Sequence, residues 1–223
     1  LMKNNFKFFL IYLTLSIGLL FNSNANEQFV FDVSEIEILD NGNVIIGKNG
    51  GKVTVEDGSI ITGDNFKYNK ILNILEADGN VKFENKIEDI IIFSDKAIYN
   101  KNIEELITKG NSKAIKIDNT ITANAFIYKK NINILTANKN VKIVDKLKDV
   151  IILSSEVTYD KNKETFFSKG LTESVVENKY NIKSKDVLFS KKISILSSNQ
   201  KTIVKDNKLN QYELEEFNYN ISK

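Results

Sequence analysis

From residue 29 onward the chain is a succession of short runs in which apolar and polar residues alternate. Asn, Asp, Gly and Lys punctuate them at short intervals. Period-two alternation in segments rich in Ile, Val, Phe and Tyr predicts half-buried β-strands. In 151–159 one parity holds Ile151, Leu153, Ser155, Val157 and Tyr159, and the other Ser154, Glu156 and Thr158. Extending that parity through the segment assigns the first set to the interior. The same parity places Ile91, Phe93, Ala97 and Tyr99 inside, together with Asp95, which is a blemish in the assignment. Val81 and Phe83 point in around Lys82, and Val141 and Ile143 around Lys142.

The pattern repeats. Residues 66–99 align with 126–159 at an offset of 60 without a gap, pairing Phe66 with Phe126, Tyr68 with Tyr128, Val81 with Val141 and Tyr99 with Tyr159. An aromatic residue recurs at about half that period, at Tyr68, Tyr99, Tyr128, Tyr159, Phe189 and Tyr219. Each half-period contains one long strand-like run and two short ones, for example 89–99, 103–108 and 112–117. Asp78-Gly79-Asn80, Lys109-Gly110-Asn111 and Asn138-Lys139-Asn140 suit tight turns between runs, because Gly and Asn tolerate positive φ. Such periodicity predicts a repetitive architecture with one continuous apolar channel or core.

The first residues read differently. Lys3 and Lys7 precede an apolar run over 8–21, and Ser23 and Ala25 occupy small-residue positions, so residues 1–25 read as a signal peptide cleaved between Ala25 and Asn26. That leaves 26–223 as one exported β domain. Lys+Arg total 31 and Asp+Glu 29; without Lys3 and Lys7 the remainder is neutral, which gives no reason to expect a nucleic-acid partner.

Cys, His, Trp and Pro are absent, so disulfides, Ser-His or Cys-His pairs and structural zinc sites are excluded. The acidic pairs Glu88-Asp89, Glu104-Glu105 and Glu215-Glu216 read as solvated strand ends, since neighbours on a strand point to opposite faces. No catalytic residue, cofactor or metal site is expected. The recurring tyrosines are explained by packing.

The phrases Ile61-Thr62-Gly63-Asp64-Asn65-Phe66-Lys67-Tyr68 and Leu75-Glu76-Ala77-Asp78-Gly79-Asn80-Val81-Lys82-Phe83 resemble the OstA-like family. That family takes in the periplasmic protein LptA and the N-terminal domain of LptD. The resemblance implies an all-β fold of antiparallel strands forming an elongated, V-shaped β-jelly roll, open along one side. It implies no enzymatic activity but transport of lipopolysaccharide, whose acyl chains enter an apolar trough. The trough residues would then be Phe66, Tyr68, Val81, Phe83, Ile91, Phe93, Tyr99, Phe126, Tyr128, Val141, Ile143, Ile151, Leu153, Val157 and Tyr159. Partners would be lipopolysaccharide, other jelly-roll domains stacking on strand edges such as 29–39, and an outer-membrane barrel if the chain is LptD-like. The place would be the periplasm, at the outer membrane. Lys139 departs from the glycine that the family pattern puts there.

The phase of the repeat makes 213–219 the long run of a new unit, which predicts a piece of a larger protein; with the resemblance this implies the N-terminal domain of an LptD-like protein, the alternative being a complete LptA-like one. Two other readings share the repeat: a structural β-solenoid segment of an adhesin or passenger protein, and a β-helical carbohydrate-active enzyme, which the missing His disfavours.

Overall fold

The computed structural model describes residues 29–221; the leader predicted over 1–25 lies outside them. The strands are β1 (Phe29–Leu39), β2 (Val44–Val55), β3 (Ile60–Gly63), β4 (Asn65–Asn69), β5 (Ile74–Asn85), β6 (Ile90–Asn100), β7 (Glu105–Lys116) and β8 (Asn119–Lys129). They continue with β9 (Ile134–Asp145), β10 (Val150–Asp160), β11 (Thr165–Val176), β12 (Tyr180–Ser190), β13 (Ile195–Ser198), β14 (Thr202–Asp206), β15 (Gln211–Leu214) and β16 (Phe217–Asn220). All belong to one antiparallel meander in which each strand pairs with its sequence neighbours. β3 with β4 and β13 with β14 are halves of interrupted strands, since β3 and β4 both pair with β2 and β5, and β13 and β14 both pair with β12; β16 and β15 continue the sheet beside β13 and β14 in turn.

Nearly every long strand is kinked near its middle. The register slips between Asp78 and Val81, Phe93 and Lys96, Lys109 and Ser112, Thr122 and Ala125, and Ser154 and Glu156. These bulges line up across the sheet as a crease, because an unpaired residue bends the strand and increases its twist. The crease folds the sheet into two facing arms, the all-β jelly-roll arrangement expected from the sequence. The expected short runs 103–108 and 112–117 are therefore the two halves of β7, and the supposed turns at Gly79, Gly110 and Lys139 are mid-strand bulges. The structural repeat is a hairpin of two long strands.

Two kinds of bulge alternate. β5, β7 and β9 insert a residue pair with positive φ, Gly79-Asn80, Gly110-Asn111 and Lys139-Asn140. An even insertion preserves parity, so Leu75 and Ala77 before the crease and Val81 and Phe83 after it all point inward. The intervening strands β6, β8 and β10 carry an odd insertion, which turns every later side chain to the other face. In β6 the inward residues are Ile92 and Ser94 before the crease, then Ala97 and Tyr99. Asp95 is the exposed bulge residue, which resolves its apparent placement in the core.

The same flip corrects four trough residues. Ile91, Phe93, Ile151 and Leu153 lie on the outer face; Phe93 is 38% and Leu153 40% exposed. Ile92 and Ile152 are buried in their stead.

Side chains tie the crease together. Asn80 Nδ2 donates to the Asp64 carboxylate at 2.9 Å, Asn111 to Asp95 at 2.9 Å, and Asn140 to the Asn124 amide oxygen at 3.1 Å. On its inner side, Thr108 and Ser112 share a hydrogen bond of 2.7 Å and Thr172 donates to Ser168 at 2.9 Å, satisfying polar groups that the bend would otherwise leave buried and unpaired.

Candidate functional site: the apolar interior and its mouth

The two arms enclose one apolar cluster that runs the length of the sheet. Phe66, Tyr68, Val81, Phe83, Tyr99, Phe126, Tyr128, Val141, Ile143 and Val157 are buried in it, and Tyr159 packs against it half-buried. Phe126 has no exposed surface. Tyr159 stacks on Phe166 at 4.4 Å between ring centroids, and Phe166 on Phe189 at 6.0 Å. Fully burying one such ring stabilises the fold by about 1.5–3 kcal/mol, with about 0.5–1.5 kcal/mol more from ring–ring geometry.

Each arm ends in a rim of tight turns. One rim is formed by the turns that begin at Lys70, Lys101, Lys130, Lys161 and Lys191. Its turns are chained by backbone bonds: Lys101 N–H donates to Asn73 C=O at 3.0 Å, Lys130 to Glu104 at 2.9 Å, Lys161 to Asn133 at 3.0 Å, and Lys191 to Glu164 at 3.0 Å. The accepting residues Asn73, Glu104, Asn133 and Glu164 all hold positive φ, the geometry that turns the chain back. The opposite rim consists of the turns at 56–59, 86–89, 117–118, 146–149 and 177–179.

The lysines of the first rim reach across the mouth to carboxylates of the second. Lys101 meets Glu56 at 3.5 Å, Lys130 meets Asp57, Lys161 meets Glu88 at 3.4 Å, and Lys191 meets Asp118 at 2.9 Å and Asp145 at 3.2 Å. Three of these rungs share a sequence separation of 73, so they recur with the repeat. A rung joins turns several strands apart because the twist of the sheet staggers one arm along the other. Glu88 is thus a partly buried cross-mouth partner and not the solvated strand end expected from its neighbour Asp89.

The recurring tyrosines stand just beneath the rungs. Tyr128 donates its hydroxyl to the Glu88 carboxylate, and Tyr219 donates to Glu177 at 2.9 Å. Burial raises the Tyr159 phenol to about 12, with Glu164 and Asp118 nearby adding to the effect. Burial also raises Tyr219 to about 12, helped by the Glu177 carboxylate. Asp57 is the converse: burial alone would push it up, but donors from Lys130 and Ser59 more than offset that and hold it below the usual value. Asp118 is held down in the same way by Lys191.

With the rungs made, the interior beneath them is closely packed. Beneath the Lys161–Glu88 pair lies a cavity of about 30 Å³ bordered by Leu135, Tyr159 and Phe166, room for a water or two but not for an acyl chain. At the β15/β16 edge a larger groove of about 430 Å³ opens between Tyr180, Ile182, Val204 and Tyr219. Every hydrogen-bonded backbone pair joins neighbours along the sheet or adjacent turns; among the described residues none crosses the mouth. Nor does any group of three His, Cys, Asp or Glu stand ready to hold a metal among them.

Reading the sequence for apolar parity missed the rim lysines. The signal was present: each follows a repeat aromatic by two residues, as in Tyr99-Asn100-Lys101, Tyr128-Lys129-Lys130, Tyr159-Asp160-Lys161 and Phe189-Ser190-Lys191. Their carboxylate partners have no such local mark.

A single creased meander around an apolar interior defines a class of β-jelly-roll protein. Residues 30–185 match the model of the family described as OstA-like protein, and the chain belongs to that family. A crystal structure of LptH, the LptA-homologous periplasmic component of the lipopolysaccharide transport device of Pseudomonas aeruginosa, is similar with a TM-score of 0.46 and 16% identity, over 52% of this chain and 85% of that one. No curated protein matches the chain.

Proposed function

We propose that the protein is a non-enzymatic carrier of lipopolysaccharide in the periplasm, holding acyl chains between its two arms. The observation that supports this most is the combination of a continuous apolar interior with a mouth that, among the described residues, is closed by side chains alone. Parting the arms exposes apolar surface without breaking a strand pair. Each acyl methylene moved from water into that surface contributes about 0.8 kcal/mol. Membership of the OstA-like family points the same way at the level of the family.

In its finer form the proposal is an LptD-like N-terminal domain that receives lipid from stacked jelly-roll domains and passes it to an outer-membrane barrel. The unpaired edges of β1 and of β15 with β16 suit such stacking, because an exposed edge accepts another strand. In-frame amphipathic strands of about ten residues encoded beyond Lys223 would support this form; a stop codon there would replace it with an LptA-like bridge.

One observation favours a structural reading instead: the packed interior resembles that of a solenoid that binds nothing. Photo-crosslinking separates the two. A photoreactive residue at Phe126 should capture radiolabelled lipopolysaccharide under the transport reading, whereas one at outward Phe93 should not. Capture at neither position, in folded protein, would favour the solenoid.

A further inference from the structure

The rungs across the mouth do more than hold the fold together. Lys130 is 8% exposed, and the side chains of Lys101, Lys161 and Lys191 are also largely covered, so these ammonium groups sit where water screens them poorly. A charge in such a position has to stay paired, since stripping it of its partner is costly. Among the described residues, the carboxylates they pair with stand on the other arm. The crease opposite the mouth is a line of one- and two-residue bulges where the register slips while the ladders on either side continue, which makes it the place for a bend between the arms. A molecule built this way has a hinge, two rigid arms and a row of ionic latches.

We propose that the mouth is a gate latched by Lys101, Lys130, Lys161 and Lys191, and that the same lysines, on release from their carboxylates, bind the phosphates of the entering lipid. The proposal rests on the transport reading above and names the residues through which it operates. Exchange of one anion for another keeps every lysine paired throughout opening, which a ligand consisting of acyl chains alone would not do. The spacing suits the ligand. Successive rim turns are two strands apart, about 10 Å along the rim, so a headgroup bearing more than one phosphate can engage neighbouring latches. Glu56, Asp57, Glu88, Asp118 and Asp145 are then the occupants of the closed state, and Tyr128 completes the latch at Glu88 from beneath.

Two experiments test this. The chain has no cysteine, so Lys130→Cys with Asp57→Cys gives a protein whose rims can be joined by a short bis-maleimide after folding. Binding of fluorescent diphosphoryl lipid A should fall to background once the link is made and persist in the same variant left unlinked. Equal binding by linked and unlinked protein would show that lipid enters elsewhere, such as the β15/β16 groove, and would overturn the gate. Failure of the wild-type protein to bind the probe at all would overturn the transport reading, and the gate with it.

The second experiment removes opposite sides of the latch. Glu88→Gln with Asp118→Asn takes the carboxylate from Lys161 and the nearer of two from Lys191, which keeps Asp145 at 3.2 Å, and should strengthen lipid A binding. Lys161→Gln with Lys191→Gln opens the same rungs but should weaken it, by about tenfold. Dephosphorylated lipid A should not distinguish the two variants, and excess inorganic phosphate should compete only weakly. Circular dichroism establishes that both remain folded. Identical effects of the two pairs on phosphorylated lipid would overturn the phosphate-binding role, and full competition by inorganic phosphate would reassign the row to a free anion.

Discussion

The Tyr128 hydroxyl donates across the mouth to the carboxylate of Glu88, a residue on the opposite rim that also receives Lys161 at 3.4 Å. A repeat position that packs an aromatic ring into the core thereby also fastens one arm to the other. Tyr219 and Glu177 repeat the relationship further along. Tyr128→Phe keeps the ring and removes only the bond. It should lower unfolding free energy by about 1.5–3 kcal/mol, as expected for a hydrogen bond to a charged acceptor. Urea denaturation measures this, and an unchanged midpoint would show that the bond contributes nothing.

Adjacent isoleucines should behave oppositely. Ile92 is 1% exposed and Ile91 lies on the outer face; Ile152 and Ile151 stand in the same relationship. Ile92→Ala and Ile152→Ala should each cost about 2–5 kcal/mol, while Ile91→Ala and Ile151→Ala should cost well under half as much. Equal losses within either pair, measured by thermal or urea unfolding, would contradict the parity flip at the crease.

The crease should tolerate glycine better than any other residue. Gly79 has φ +79, and a Cβ there would lie 2.3 Å from an Asp64 carboxylate oxygen. Gly79→Ala should therefore destabilise by about 2 kcal/mol or more. Lys139 occupies the equivalent place in β9 with φ 62, next to Asn140, which bonds Asn124 as Asn80 bonds Asp64. Lys139→Gly relieves the strained backbone and should be neutral to stabilising by about 0.5–1 kcal/mol. Differential scanning calorimetry of the two variants tests both signs.

Stability should fall at both extremes of pH, for separate reasons. Asp57 and Asp118 titrate below their ordinary 3.8 in the folded protein. Their contribution is complete above the unfolded value and is lost as pH falls below about 4 toward the depressed folded values. The tyrosines act in the opposite sense. Tyr159 and Tyr219 are raised from 10.0 to about 12. The folded state then holds protons that the unfolded chain releases, so stability is complete below pH 10 and declines as pH rises from 10 toward 12. Urea midpoints measured across pH, with tyrosinate absorbance followed in parallel, would show a plateau between the two limbs; a decline beginning near neutrality would exclude both assignments.

Much of the fold was legible locally. Alternation gave strands, the offset of 60 gave the repeat, and the recurrent aromatics at Tyr68, Tyr99 and Tyr128 marked the interior. These are properties of a few neighbouring residues, and side-chain direction in a strand follows from the backbone with a period of two. The family phrases carried the rest of the fold class.

What the local pattern could not supply was the number of residues inserted at each bend. Gly79-Asn80 adds a pair and keeps the faces; the bulge at Asp95 shifts them, and so Ile91, Phe93, Ile151 and Leu153 were assigned to the wrong side. Nor could it supply the closure of the mouth. Lys130 and Asp57 are 73 residues apart, and no period within the chain pairs them. That pairing is decided by how far twist staggers one arm against the other, a property of the whole sheet. The sequence by itself determined strands, repeat and apolar lining through short-range stereochemistry; only the tertiary structure decided which residues face in beyond the crease and which charges meet across the rim, because both depend on curvature accumulated over many strands.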